Sequence, residues 1–469
     1  MEGWKSSEMK HHETEKLQRG LDNRHIQLIA LGGAIGVGLF YGSSSTIQMA
    51  GPSILLSYLV GGLVIFTIMR ALGEMAVDEP VSGSFSSYAN RYIGPFAGYL
   101  TGWTYWFMWV VVGMAELTVV GVYVNYWFPD IPQWVSALAA LVVIALINIA
   151  NVKAFGEFEF WFALIKVVAI IGMIILGLGI ILFGFGNGGQ PMGFDNLWVH
   201  GGFMPNGVSG ILMSLVLVMF SFGGVELVGI TAGEAKNPQK SIPSAVNNVV
   251  WRILIFYIAA LGIMMILYPW NEVGTNGSPF VLIFDKIGIP GAAHIINFVV
   301  LTAALSAFNS GLFSTGRMLY NLSLQNNGPK YFGKLNKYGT PRRGILFSSG
   351  ILLVAVFLNY IVPEKVFIYI SAIATVAVIT SWTIILITQL KFRQSKSKEE
   401  VKKLAFKMPF YPFSTYLALL FLALVIVLMG FIEGMRVALV VAPIWFLILY
   451  VGYRMKRKDS VDGFIGKVG

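Results

Sequence analysis

Twelve runs of about twenty mostly apolar residues follow one another along this chain of 469 residues. They are Ile26 to Ile47, Pro52 to Val77, Phe96 to Val124, Trp134 to Val152, Phe160 to Phe185 and Val208 to Ala232, then Val249 to Trp270, Ala292 to Leu324, Gly344 to Val362, Val366 to Leu390, Tyr411 to Ile432 and Met435 to Tyr453. Runs of that length match the hydrocarbon core of a bilayer. In lipid every backbone N–H and C=O must find a partner inside the chain, so such runs become helices. The expectation is therefore an all-α membrane protein with twelve transmembrane helices. Only 12% of the residues are charged, half the share of about 25% in soluble domains, which excludes an ordinary soluble enzyme. The absence of cysteine excludes a disulfide framework and a thiolate metal site.

The polar stretches divide the rest. Residues 1–25 read as an N-terminal tail, 26–390 as a ten-span core, 391–410 as a basic loop, 411–453 as two further spans and 454–469 as a C-terminal tail. Met1 to Arg24 is too polar for a cleavable signal. Lys5, Lys10, Lys16, Arg19 and Arg24 precede the first span, and Lys391, Arg393, Lys396, Lys398, Lys402, Lys403 and Lys407 follow the tenth. The opposite side holds only Lys286, Lys365 and Arg436. Lys/Arg bias in short loops places both termini in the cytoplasm. It also accounts for the net charge of +10 without nucleic acid, with anionic lipid as the natural counter-charge.

Two spans are poor helices. Gly32, Gly33, Gly36 and Gly38 crowd the middle of the first, and Phe220-Ser221-Phe222-Gly223-Gly224-Val225-Glu226 interrupts the sixth. Each interior glycine costs about 1 kcal/mol against alanine. Close packing of helices is the competing use of such glycines, as for Gly38 with Gly42. Two clusters at matching places, five spans apart, point instead to inverted repeats of five spans with a broken-helix binding site between them. Freed N–H groups at a half-helix N-terminus suit a carboxylate, and freed carbonyls suit an ammonium. An α-amino acid carries both.

Ionisable residues within spans are functional candidates. Lys166 lies one to two turns into the fifth span. It either snorkels to the interface or stays buried as a group that can cycle a proton. Glu116 and Glu226 are the other deep charges, each a candidate structural partner. Ser306 and Asn309, one turn apart in the eighth span, can face a cavity, whereas most hydroxyls beside them bond their own helix backbone. Phe220 and Phe222 serve either as a lid or as bundle packing, and Gly113 is a further pocket candidate.

Several segments carry a resemblance. They are Gly32-Gly33-Ala34-Ile35-Gly36-Val37-Gly38-Leu39-Phe40, Ala50-Gly51-Pro52-Ser53, Met69-Arg70-Ala71-Leu72-Gly73-Glu74-Met75, Gly102-Trp103-Thr104-Tyr105-Trp106, Gly156-Glu157-Phe158-Glu159-Phe160-Trp161, Thr231-Ala232-Gly233-Glu234-Ala235-Lys236-Asn237-Pro238 and Ser306-Ala307-Phe308-Asn309-Ser310. Together they resemble bacterial amino acid permeases of the amino acid–polyamine–organocation superfamily, in its amino acid transporter family. Gly186-Asn187-Gly188-Gly189-Gln190-Pro191 and Tyr268-Pro269-Trp270-Asn271 are most similar to the proline, histidine and threonine permeases. The resemblance implies a five-plus-five inverted repeat with two extra C-terminal helices, and proton-coupled import by alternating access. It further implies a substrate carboxylate held by Ala34, Ile35, Gly36, Val37 and Gly38, and an amino group held near Ile35 and Phe220, Ser221, Phe222 and Gly223. Lys166 matches the lysine that stands in for the sodium ion of related sodium-coupled carriers.

The reading is a permease for a small neutral or zwitterionic L-amino acid, with proline, histidine or threonine foremost. Its partners are protons and membrane lipid, without a cofactor, metal or nucleic acid. Exchange of one amino acid for another without net proton flux is the alternative. A channel, a sensor or an intramembrane enzyme would need a pore repeat, a signalling domain or a catalytic constellation, and none is written here.

Overall fold

A computed structural model describes residues 35–81, 84–150, 152–185, 188–227, 238–274, 277–287 and 291–465. The expectations placed on residues 1–25, on Gly32, Gly33 and Ala34, on Gly186 and Asn187 and on Thr231 to Asn237 lie outside them.

The described residues form a bundle of helices: α1 (Val37–Phe40), α2 (Gly42–Ala50), α3 (Ile54–Asp78), α4 (Ser84–Tyr92), α5 (Pro95–Asn125), α6 (Gln133–Ala150), α7 (Val152–Phe183), α8 (Gly207–Ser221), α9 (Pro238–Arg252), α10 (Ala260–Leu267), α11 (Pro279–Ile287), α12 (Ala292–Leu324), α13 (Arg342–Ile361), α14 (Pro363–Gln394), α15 (Lys398–Lys403), α16 (Phe413–Met429) and α17 (Arg436–Ile465). A π-helical stretch, Ile253–Ala259, joins α9 to α10. Among the described residues nine helical segments are long and apolar enough to cross a membrane. Gly207–Ser221 and Phe413–Met429 are apolar but shorter.

Proline marks several helix starts, at Pro95 and Pro363, where its missing N–H costs nothing. Between α2 and α3 the chain passes through a 3-10 turn at Gly51-Pro52-Ser53, and Gly51 takes φ +59, a left-handed conformation that favours glycine. The polar ends of this corner are tied to other segments. Asn206 Nδ2 donates to the carbonyls of Gln48 at 3.2 Å and Met49 at 2.9 Å, while Gln48 Nε2 donates to those of Trp270 and Val273.

Burial sorts the helices into a centre and a rim. The apolar windows of α5 and α14 are each 78% buried and that of α12 is 72% buried, against 33% for α6 and 11% for α17. Helix α5 packs most extensively on α12 and α14. Large apolar side chains such as Leu146, Ile175, Leu420 and Leu447 stay exposed. In a bilayer that rim faces lipid tails.

Besides the end of α8, three boundaries differ from the sequence expectation by eight residues or more. Helix α7 starts at Val152 rather than Phe160, α9 starts at Pro238 well before Val249, and α17 continues past Tyr453 to Ile465. The first has a clear cause. The charges at Glu157 and Glu159 end an apolar run, but Glu159 is fully buried against α12, so its polarity never meets the lipid. Lys166 therefore lies about 21 Å along its helix at 1.5 Å per residue, not one to two turns in.

Candidate functional site

The glycine-rich stretch after Ser221 is non-helical among the described residues. Helix α8 stops at Ser221, and the chain passes through turns from Phe222 to Glu226. Short-range bonds carry it, from Gly223 N to Phe220 O at 3.0 Å and from Leu227 N to Gly224 O at 3.1 Å. Gly224 has φ +98, which an L side chain rarely adopts. Among the described part of span one, Ile35 and Gly36 are non-helical and α1 begins at Val37.

The start of α1 and the end of α8 meet. A Cβ placed on Gly38 would lie 2.5 Å from Ser221 Cα, so glycine lets the backbones cross. The Ser221 carbonyl is not idle at this crossing, because Tyr257 Oη donates to it at 2.9 Å. Tyr58 Oη donates to Ser221 Oγ at 3.2 Å.

Charges converge on the same break. Lys166 is fully buried, which removes the snorkelling alternative, and its Nζ donates to the Ile35 carbonyl at 3.1 Å. Glu116 reaches it from α5. Its Oε1 accepts from Val37 N–H at 3.4 Å, while Oε2 has no hydrogen-bond partner among the described residues. Gly36 leaves room for this carboxylate, since a Cβ there would sit 2.6 Å from Glu116 Oε1. An ammonium thus sits on a freed carbonyl and a carboxylate on a freed N–H, the two contacts that an amino acid zwitterion makes.

The remaining candidates separate. Phe222 is fully buried, edge-on to Tyr58 at 5.7 Å and against Tyr257 at 5.0 Å, so it packs the bundle. Phe220 meets Phe367 at 6.1 Å, and Phe367 meets Tyr41 at 4.7 Å, a ring cluster beside α1. Gly223 lies near Val378, and Gly113 has Phe308 and Leu352 as its nearest neighbours. Glu226 accepts from Trp382 Nε1 at 3.1 Å. Ser306 does not open onto the break in this arrangement: its hydroxyl donates to Glu159 Oε1 at 2.7 Å. Glu159, like Glu74 and Arg252, is a buried charge that sequence reading did not single out as buried. Its spacing of seven residues from Lys166, which keeps one helix face, was the available signal.

Among the described residues no group of three or more His, Cys, Asp or Glu side chains is placed to hold a metal ion. The family profile described as amino acid permease matches residues 25–465. The chain is 58% identical over 449 residues to an uncharacterized amino acid permease, YtnA, of Bacillus subtilis (strain 168), covering 95% of this chain and 97% of the relative. It is 51% identical to the probable threonine/serine transporter YbxG of the same organism, over 94% of this chain and 95% of that one. To the amino-acid permease AapA, also of that organism, it is 49% identical over 95% and 96%. A nearly full-length match at this identity, on an all-helical chain with many apolar spans, makes this protein a member of the amino acid permease family, multi-pass membrane transporters of amino acids and not enzymes.

Proposed function

We propose that this protein imports a small neutral or zwitterionic L-amino acid together with a proton across the cytoplasmic membrane, by alternating access. In this reading it has twelve spans, built as two inverted repeats of five with two added helices, and both termini are cytoplasmic. The observation that carries it is the charge arrangement at the span-one break, Lys166 on the Ile35 carbonyl and Glu116 on the Val37 N–H. Backbone from Ala34 to Gly38 would hold the substrate carboxylate. The carbonyls near Ile35 and around Phe220 to Gly223 would take its amino group.

The steps follow from charge. In the outward-facing state Lys166 takes a proton and substrate settles between the breaks. The half-helices then close over it, with the Phe220, Phe367 and Tyr41 rings beside the path. Release of the Lys166 proton to the cytoplasm, followed by the substrate, completes a turnover. Threonine and serine lead the substrate class because a relative at 51% identity is named a probable transporter of them. Proline and histidine follow from the motifs in the loops.

The test is uptake by purified protein in liposomes under an imposed inside-alkaline gradient. The panel is radiolabelled threonine, serine, proline, histidine, alanine and glycine. Uphill accumulation that vanishes when the gradient is collapsed, and that falls at least tenfold in Lys166→Ala, is expected. Accumulation that needs internal amino acid and ignores pH would make the protein an exchanger. Full pH-driven accumulation by Lys166→Ala would overturn the proton assignment.

A further inference from the structure

One buried carboxylate has no part in that cycle. Glu159 is fully buried on α7, seven residues before Lys166. That spacing puts the two on one helix face, about 10 Å apart along the axis. Ser306 Oγ donates to Glu159 Oε1 at 2.7 Å, and Asn309 Nδ2 donates to Oε2 at 3.4 Å. Asn309 is itself oriented, because its Oδ1 accepts from Asn148 Nδ2 on α6 at 2.8 Å. Its amide can serve both neighbours only this way round. Helix α12 therefore clasps the carboxylate with two groups one turn apart.

These donors are neutral. They orient the charge of Glu159 without balancing it, and an unbalanced buried charge is costly. Among the described residues the groups facing the pair are these. On α7 itself Lys166 is the cation on which Glu159 acts, and Glu116 on α5 is the second carboxylate acting on it. From α12 come Ser306, Asn309 and Ser310, and Arg317 of α12 lies two turns beyond Asn309, over the Phe313 ring. His294, at the other end of α12, accepts from Trp127 Nε1 at 3.0 Å. From α6 comes Asn148, and from α10 the apolar Ile263 and Leu267 against Gly177. In the π-helical stretch Tyr257 is turned to Ser221.

We propose that Glu159 is the counter-charge and positioning residue of Lys166, and that its clasp on α12 sets the pH range of coupled uptake. The proposal rests on the reading that Lys166 carries the proton. With Glu159 anionic, the ammonium form of Lys166 is favoured at modest proton concentration. When Lys166 releases its proton, Glu159 loses its balancing charge while still held by span eight, so α12 registers the protonation state of α7.

The test uses the liposome assay across a series of external pH values, with the best-accumulated amino acid of the panel as probe. Glu159→Gln keeps the shape and an acceptor for Ser306 but removes the charge. More protons are then needed to charge Lys166, so the pH of half-maximal uptake falls by one unit or more, a tenfold change in proton concentration. Exchange of labelled for unlabelled substrate at equal pH on both sides stays within about twofold of the parent. A lowered rate with an unmoved midpoint would overturn the proposal and leave Glu159 a structural residue. If Glu159→Gln is inactive in both assays, Ser306→Ala, which frees the carboxylate from its clasp, decides: a midpoint shifted to lower pH supports the proposal and an unmoved one overturns it. Failure of the underlying reading looks different, because Lys166→Ala would then keep its pH-driven accumulation.

Discussion

Glu74, near the end of α3, and Glu116, about two thirds of the way along α5, are both buried carboxylates with a cation in their surroundings, yet their partners differ in kind. Glu74 is saturated. Arg393 Nε donates to its Oε1, while Gln389 Nε2 at 2.8 Å and Met408 N–H at 3.2 Å donate to its Oε2. Gln389 is braced in turn by the Thr415 hydroxyl at 3.2 Å. Three separate stretches, α3, α14 and the segment leading to α16, are joined through one side chain. Glu116 has a single long bond to backbone and an oxygen left over. A carboxylate with both oxygens engaged by three donors is a clamp. One with spare capacity, placed at a broken helix, is a group that can exchange partners.

The largest expected effect tests the clamp. Glu74→Ala strands Arg393, whose side chain is only 8% exposed, and breaking a buried pair from one side costs about 3–5 kcal/mol. A marked fall of the thermal midpoint in detergent is expected, whereas Glu116→Gln changes uptake while leaving that midpoint within a degree or two. Equal falls in both would erase the distinction between clamp and site. A medium effect sharpens it from the side of volume. Gly38→Ala drives a methyl group against the Ser221 backbone, and overpacking costs about 1–3 kcal/mol. Uptake drops tenfold or more with normal insertion; unaltered uptake would mean that the crossing of α1 and α8 is not part of the cycle.

The smallest effect concerns a third charge, fully outside the bundle. Ser397 and Glu400 form a capping box on α15, with Ser397 N–H donating to Glu400 Oε2 at 2.7 Å. Those bonds hold the Glu400 carboxyl below its usual range. A depressed carboxylate pKa contributes stability above the unfolded value and loses it as pH falls through the folded one. Amide protection at Val401 to Lys403 should therefore be present at neutral pH and fade below the usual carboxylate range, with the thermal midpoint of the whole protein unmoved. Protection that persists in acid would show that α15 is held by packing rather than by its cap.

Much of this was legible in the residues. Glycine crowding located the turn after Ser221 and the non-helical Gly36, because the cost of interior glycine is local and shows without a structure. Lys166 was equally visible, since a lysine inside an apolar run has few innocent explanations. Its depth was not, and neither was Glu159. Both were lost through one boundary: an apolar run ends, for a reader, at the first pair of carboxylates, whereas the helix ends where its backbone does. What lets Glu159 sit buried inside α7 is the pair of donors on α12, over a hundred residues away in sequence. The fate of Phe222 was unreadable for the same reason, since only the positions of Tyr58 and Tyr257 decide between lid and packing.

The ties around Gln48, Met49 and Asn206 have a mechanical consequence. They fasten the Ala50 end of α2 to the start of α8 and to the Trp270–Val273 segment, so any movement of one of these pieces has to carry the others with it. From Val37 to Ala50 the chain spans about 20 Å along the helix axis, so a tilt of roughly 5° at the Val37 end would move the Ala50 end, and the pieces tied to it, by nearly 2 Å.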